Sequence, residues 1–268
     1  MIYEKQDLLL SLKDVSLGYG EKKILRDINV EIRDIVSTQQ TLGQVVTLVG
    51  RSGIGKSQLF KMIAGVIRRT HETIIGGEIR IGRDQKLTEP GMVGMVLQNY
   101  PLFGHYTLRG NLELVCKDKQ KVDDYLNLFE IWDCQKNYPN QLSGGQRQRT
   151  AIVQQMLCSA DLILLDEPFS GLDPVATEKL CQNINKVVNS SEQNTVIISS
   201  HILEPALAIS DTLWVVGNEF TETGKIPGAT ICYTDDLAAK GLAWNPEIRR
   251  DHRFTEMVDE VRQLFNKI

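Results

Sequence analysis

The sequence predicts an α/β fold: a mainly parallel sheet, an N-terminal antiparallel β subdomain and an inserted helical subdomain. Three textures in the chain carry that expectation. Residues 45–49 (VVTLV), 162–165 (LILL) and 195–200 (TVIISS) are nearly continuous apolar runs, as strands buried on both faces are. Residues 8–32 alternate instead, with Leu10, Leu12, Val15, Leu17, Ile28, Val30 and Ile32 apolar, which suits a half-covered antiparallel sheet. Residues 95–157 read as mostly helical with mixed charge, so they form an insertion between core residues 1–94 and 158–268.

Taken in order, the alternating stretch gives way at residue 45 to the first buried strand. That strand ends in GRSGIGKS, residues 50–57, and QLFKMIAGVI, residues 58–67, follows as a helix. Strand, glycine-rich loop and helix in this succession make a phosphate-binding unit, so the core is expected to be that of a P-loop NTPase. After the strand at 162–165, Asp173 and Pro174 mark a helix start, as N-cap and first helical residue. LWVV at 213–216 is a further strand. Near the end, Met257, Val261, Leu264 and Phe265 recur at helical spacing, as in an amphipathic helix docked on its own domain. That helix belongs to a C-terminal extension from about residue 225.

A net charge of -4 and a pI near 5.7 argue against a nucleic-acid-coating surface. No apolar run reaches the roughly 20 residues of a membrane span, and the N-terminus lacks the pattern of a signal peptide. The chain is therefore expected in the cytoplasm. Cys116, Cys134, Cys158, Cys181 and Cys232 are scattered without C-x-x-C pairs, which implies reduced, idle thiols.

The loop fits G-x-x-x-x-G-K-[ST] through Gly50, Arg51, Ser52, Gly53, Ile54, Gly55, Lys56 and Ser57. Its glycines let backbone N–H groups converge on phosphate oxygens, Lys56 brings a mobile charge, and the Ser57 hydroxyl suits Mg²⁺. Asp166, ending the LILLD strand, offers a carboxylate to the metal shell. Glu167, one residue on, is aimed elsewhere and suits a base that polarises water. His201 follows a third buried strand, where ligands gather in such sheets. A second anion-binding feature, Ser143, Gly144 and Gly145 in YPNQLSGGQRQR, has no lysine.

LSGGQ (Leu142 to Gln146), with the loop at 50–57, LILLDE and His201, resembles the ATP-binding subunit of ATP-binding cassette (ABC) transporters. The resemblance runs from Tyr19 to about Val216 and implies one ABC ATPase domain using ATP and Mg²⁺. In that family two subunits meet head to tail, so Ser143, Gly144, Gly145 and Gln146 would serve the ATP held by the partner's loop. The resemblance further implies adenine stacking at Tyr19 and a nucleotide-site role for Gln58, where threonine is frequent. It implies that Gln98 reaches Mg²⁺ and the attacking water, that His201 senses the γ phosphate, and that Asp173 lies at the dimer seam. Mg²⁺ would then be served by Ser57, Gln98 and Asp166, the last through water. The implied partners are a second ATPase subunit, identical or a close paralogue, and membrane-spanning permease subunits near Tyr100, Pro101, Leu102 and Phe103. A solute-binding protein is also implied, as in bacterial importers, and nucleic acid is not. The location would be the cytoplasmic face of the cell membrane. Open alternatives are a soluble ABC ATPase outside transport, such as a cofactor-assembly ATPase, and a regulatory module that binds ATP without turnover. The connection at 34–42 looks longer than most members have.

Overall fold

A computed structural model of the chain describes residues 3–36, 43–158, 162–189, 195–222, 224–245 and 247–268. The alternating N-terminal stretch forms two long strands, β1 (Glu4–Tyr19) and β2 (Lys22–Val36), paired antiparallel with Leu10 opposite Ile32 and Leu12 opposite Val30. Residues 34–36 thus continue β2 rather than opening a long connection. Asp34 is buried there, 2.8 Å from Arg83, and residues 37–42 lie outside the described residues.

Next come β3 (Gln44–Val49), α1 (Lys56–Ile63), β4 (Thr73–Ile81), β5 (Lys86–Leu87) and β6 (Gly94–Val96). The helix after the loop is shorter than the sequence suggests, because Ala64 caps it and Gly65 turns left-handed at φ 69°. Strands β2, β1, β4 and β5, in that order, make the antiparallel sheet. Its register slips between Lys13 and Ser16, where the backbone crowds Gly77: a Cβ on that residue would lie 2.3 Å from the Lys13 carbonyl.

The insertion holds α2 (Leu108–Glu113), α3 (Lys119–Leu128) and α4 (Gly144–Leu157), capped by Thr107, Asp118 and Ser143. It begins later than residue 95, since Met95 and Val96 belong to β6 in the core sheet. The chain then runs through β7 (Leu162–Asp166), α5 (Pro174–Val188), β8 (Thr195–Ser200), α6 (Leu203–Ala208) and β9 (Thr212–Gly217). A two-residue hairpin pair, β10 (Phe220–Thr221) and β11 (Gly224–Lys225), precedes β12 (Thr230–Asp236) and α7 (His252–Lys267).

Six strands form the core sheet in the order β12-β9-β3-β8-β7-β6, all parallel to their neighbours except β12, which is antiparallel to β9. The stretch read as an extension therefore begins inside the core. The pleat distributes the apolar runs to two sides. Val46, Leu48, Ile197, Trp214 and Val216 face the antiparallel sheet and α1; Ile163, Leu165, Val196, Ile198 and Leu180 pack with the insertion and α5. On the same side as the latter, Val49, Leu213 and Val215 meet α6 and the Met257–Val261 face of α7, so α7 docks on its own domain. All five cysteines are free thiols, and burial pushes Cys181 up to about 12.

Candidate functional site

The C-terminal ends of β3, β7 and β8 lie side by side, because Val49 pairs with Ser200 and Asp166 with Ser199. Three loops therefore open at one edge. In the first, Gly55 stands at φ 121°, and a Cβ there would come within 2.8 Å of Leu25 Cδ2. Helix α1 starts on it with no side chain capping its first turn. Those N–H groups and the helix dipole suit an anion. Lys56 reaches back over the loop: its Nζ donates to the carbonyl oxygens of Gly50 (2.8 Å) and Arg51 (3.3 Å) and sits 3.1 Å from Glu167 Oε1. The side chain is only 5% exposed, so this ammonium is held where water screens it little.

The second loop carries the two carboxylates. Asp166 accepts a hydrogen bond from Ser199 Oγ at 2.5 Å. Glu167 is turned into the left-handed region at φ 52°, and its N–H donates to the Ser199 carbonyl at 3.1 Å. This turn separates consecutive carboxylates: Asp166 stays against β8, while Glu167 swings to Lys56. Glu167 Oε2 accepts the His201 N–H (3.2 Å) and lies 2.7 Å from His201 Nδ1. Glu167 thus bridges the phosphate loop and the third loop.

Ser199 and Tyr100 are functional neighbours that the sequence reading did not single out for this cluster. Strand alternation was the available signal for Ser199, two residues before His201 and on the same face. Tyr100 is half-buried against the core, and its phenol is pushed up to about 12 by burial, then by the charges of Asp166 and Glu167. It faces the carboxylates, whereas Phe103 points out at 55% exposure and Leu102 packs inward.

Other expected residues are placed as follows. Tyr19 ends β1 and donates to Gln58 Oε1 at 3.3 Å; both line a cavity of about 490 Å³ with Val66, Ile67 and Leu97. Ser57 is half-buried in the first turn of α1, and Ser52 and Gly53 are exposed. Gln98 is exposed in the turn two residues beyond Val96, the last residue of β6, which pairs with Leu165 of β7. Asp173 caps α5 by accepting the Ala176 N–H at 2.9 Å and is exposed.

Ser143 caps α4 in a reciprocal box: its Oγ accepts the Gln146 N–H (3.2 Å), and Gln146 Oε1 accepts the Ser143 N–H (2.9 Å). Gln146 is therefore spent on its own helix, and the exposed Ser143 and Gly144 form the free tip. Among the described residues, no hydrogen bond or ion pair joins Ser143, Gly144, Gly145 or Gln146 to residues 50–57.

An uncapped helix start, a buried ammonium and a hydroxyl beside a carboxylate fit a Mg²⁺–nucleotide. No group of three His, Cys, Asp or Glu side chains forms a metal cage among the described residues. Magnesium at such a loop takes most ligands from phosphate oxygens and water, so the few protein oxygens expected from Ser57, Gln98 and Asp166 would be enough to hold it.

Comparison with known proteins gives a consistent match. The family described as ABC transporter matches residues 34–170. The sulfate/thiosulfate import ATP-binding protein CysA of Synechocystis sp. is 32% identical over 77% of this chain and 58% of its own length. The sn-glycerol-3-phosphate import ATP-binding protein UgpC 3 of Rhizobium etli is 32% identical over 88% of this chain and 67% of its own. For the Fe(3+) ions import ATP-binding protein FbpC of Fusobacterium nucleatum the figures are 30%, 77% and 55%. The chain thus spans 55–67% of the length of these relatives. Among solved structures, a dimeric ATP-binding cassette in a post-hydrolysis state with ADP and Pi superposes with a TM-score of 0.67 at 25% identity, over 85% of this chain and 99% of that one.

Proposed function

This chain belongs to the ABC transporter family, and from that premise we propose that it is the ATP-hydrolysing subunit of a membrane importer, working as a dimer. The observation that carries the reading is the separation of two anion-binding features in one subunit. Lys56 is committed to the cluster at the end of β3, while among the described residues no hydrogen bond or ion pair joins the tip at Ser143 to that loop. Two chains placed head to tail bring each tip to the other's loop. The dimeric cassette among the structural relatives supports this arrangement.

In that dimer the α1 N-terminus and Lys56 bind the β and γ phosphates, with Tyr19 and Gln58 toward the base. Mg²⁺, when bound, neutralises phosphate oxygens, held by Ser57, Gln98 and Asp166. Ser199 fixes Asp166 for that task. Glu167 accepts a proton from water, and His201 holds its carboxylate from the other side. Ser143, Gly144 and Gly145 of one copy complete the site of the other, and Asp173 lies beside the seam. Catalysis of this kind is mostly positioning and charge stabilisation.

The membrane partners dock at the loop carrying Phe103, and the subunit sits on the cytoplasmic face of the membrane. No helix among the described residues is long and apolar enough to cross it. Buried Asn111 shapes this loop: its Oδ1 accepts the Phe103 N–H, and its Nδ2 donates to the carbonyls of Phe103, Tyr106 and Thr107 at 3.0–3.3 Å. Phe103 and Tyr106 are thereby held outward as a preformed apolar contact. A solute-binding protein completes the importer. The relatives are named for different solutes, so the cargo is read by the partner subunits.

The test is Glu167→Gln. It should keep ATP affinity, lose turnover by about 100-fold or more, and accumulate an ATP-dependent dimer in size-exclusion chromatography. Retained turnover removes Glu167 from the role of base.

A further inference from the structure

We propose that Gln148 is a positioning residue for Glu167, tying the helix that bears Ser143 to the strand end that bears the carboxylates. The inference rests on the ATPase reading above. Gln148 lies in the second turn of α4, is 2% exposed, and its Nε2–H donates to the carbonyl of Pro168. Gly145, three residues earlier on the same helical face, lies against Leu172: a Cβ added to it would sit 3.8 Å from Leu172 Cδ2. The start of α4 therefore runs along residues 168–172, the segment that leaves Glu167 and leads to Asp173.

Four hydrogen bonds fix the turn at Glu167. The Glu167 N–H donates to the Ser199 carbonyl, and the Ser170 N–H donates to the Glu167 carbonyl, each at 3.1 Å. Both of these are backbone bonds within the core. The Glu167 N–H is shared with Ser199 Oγ, also at 3.1 Å, and the fourth bond, from Gln148, is the one among them that comes from the inserted helices. It holds the peptide just past a left-handed residue, where rotation of the backbone would re-aim the Glu167 carboxylate. A buried amide costs desolvation that an apolar side chain of equal length would not, so its value lies in this directed bond.

In a head-to-tail dimer, Glu167 serves one ATP and Ser143 the other. Gln148 joins the two within a single chain, so a shift of the Ser143 tip on one ATP is felt by the base at the other.

Gln148→Met keeps the length and flexibility of the side chain and removes the donor. Gln148→Glu keeps the shape and can donate only when protonated, and burial raises the pKa of such a carboxyl. Steady-state ATPase of the full chain should show Gln148→Met with kcat lowered roughly 10–100-fold and KM for ATP within about threefold of wild type. Taken as a ratio to wild type at each pH, Gln148→Glu should be impaired at alkaline pH and recover as pH falls through its own carboxyl pKa, with the Gln148→Met ratio constant over the same range. A packing role alone would not produce that recovery. The proposal is overturned by a Gln148→Met kcat within about twofold of wild type, or by a rise in KM that accounts for the loss. It is equally overturned if Gln148→Glu fails to recover, which decides the matter should Gln148→Met not fold. Wild-type protein that hydrolyses no Mg²⁺–ATP removes the ATPase reading itself; active wild type with an indifferent Gln148→Met removes only the role of Gln148.

Discussion

Asp211 offers a quantitative test of how the core is assembled. It immediately precedes β9, and its Oδ2 accepts the Val45 N–H at 2.6 Å while its Oδ1 accepts the Thr212 hydroxyl at 2.9 Å. Its own carbonyl accepts the Leu237 N–H, so one residue joins the start of β3 to the end of β12. Burial pushes its carboxyl from the ordinary 3.8 up to about 7, against the two hydrogen bonds that favour the charged form; Asp236 adds to the rise and Lys5 opposes it. The folded protein therefore holds a proton in an interval where the unfolded chain has lost it. The stabilisation is complete below the unfolded value and is lost as pH rises through the folded one. At about 1.36 kcal/mol per pH unit, the interval from 3.8 to about 7 amounts to about 4 kcal/mol. Asp211→Asn does not titrate and retains an acceptor for Val45. Urea unfolding of both proteins across this range should show the wild type losing stability relative to the variant by about 4 kcal/mol as pH rises. Other titrating groups cancel in that difference. Parallel profiles would refute the assignment of a buried, proton-holding Asp211.

Two further perturbations probe the proposed nucleotide loop and the proposed docking loop. Lys56→Ala removes a charged donor from the phosphate site and should weaken ATP binding by about 1.5–3 kcal/mol, roughly 10–150-fold in Kd by fluorescent-nucleotide titration; unchanged affinity would count against the loop assignment. Asn111→Ala leaves the Phe103 N–H and the Tyr106 carbonyl without their side-chain partner, while the Phe103 and Thr107 carbonyls keep backbone donors, and should cost about 2–3 kcal/mol in unfolding free energy. It should also weaken co-purification with the proposed membrane subunits, and full retention of both would show that the loop is shaped by other contacts.

Much of this arrangement was legible because local chemistry and fold agree. The runs at β3, β7, β8 and β9 are apolar on both faces since the sheet is covered on both sides, and those of β3, β7 and β8 end at or beside residues of the site. The loop and the Ser143 cap are recognisable since glycine, lysine and serine are each needed there for a stated reason. Other features depend on distant parts of the chain. The three-residue β6 is too short to show a period, and β12 (TICYTDD) reads as polar because it is an edge strand. The inward turn of Tyr100 beside the carboxylates, and the outward turn of Phe103, are set by Asn111 and the packed core rather than by their own neighbourhood in sequence. Gln148 and Pro168 meet only because α4 crosses the end of β7.

The central claim is that Lys56 of one copy and Ser143 of the other hold the same nucleotide. Two differently tagged copies, one carrying Ser52→Cys and the other Ser143→Cys, both in a Glu167→Gln background with Cys116 and Cys158 replaced by serine, can be mixed with Mg²⁺–ATP and a short bismaleimide. An ATP-dependent crosslink between the two tags is predicted. Its absence, with ATP shown to be bound, would contradict the shared site.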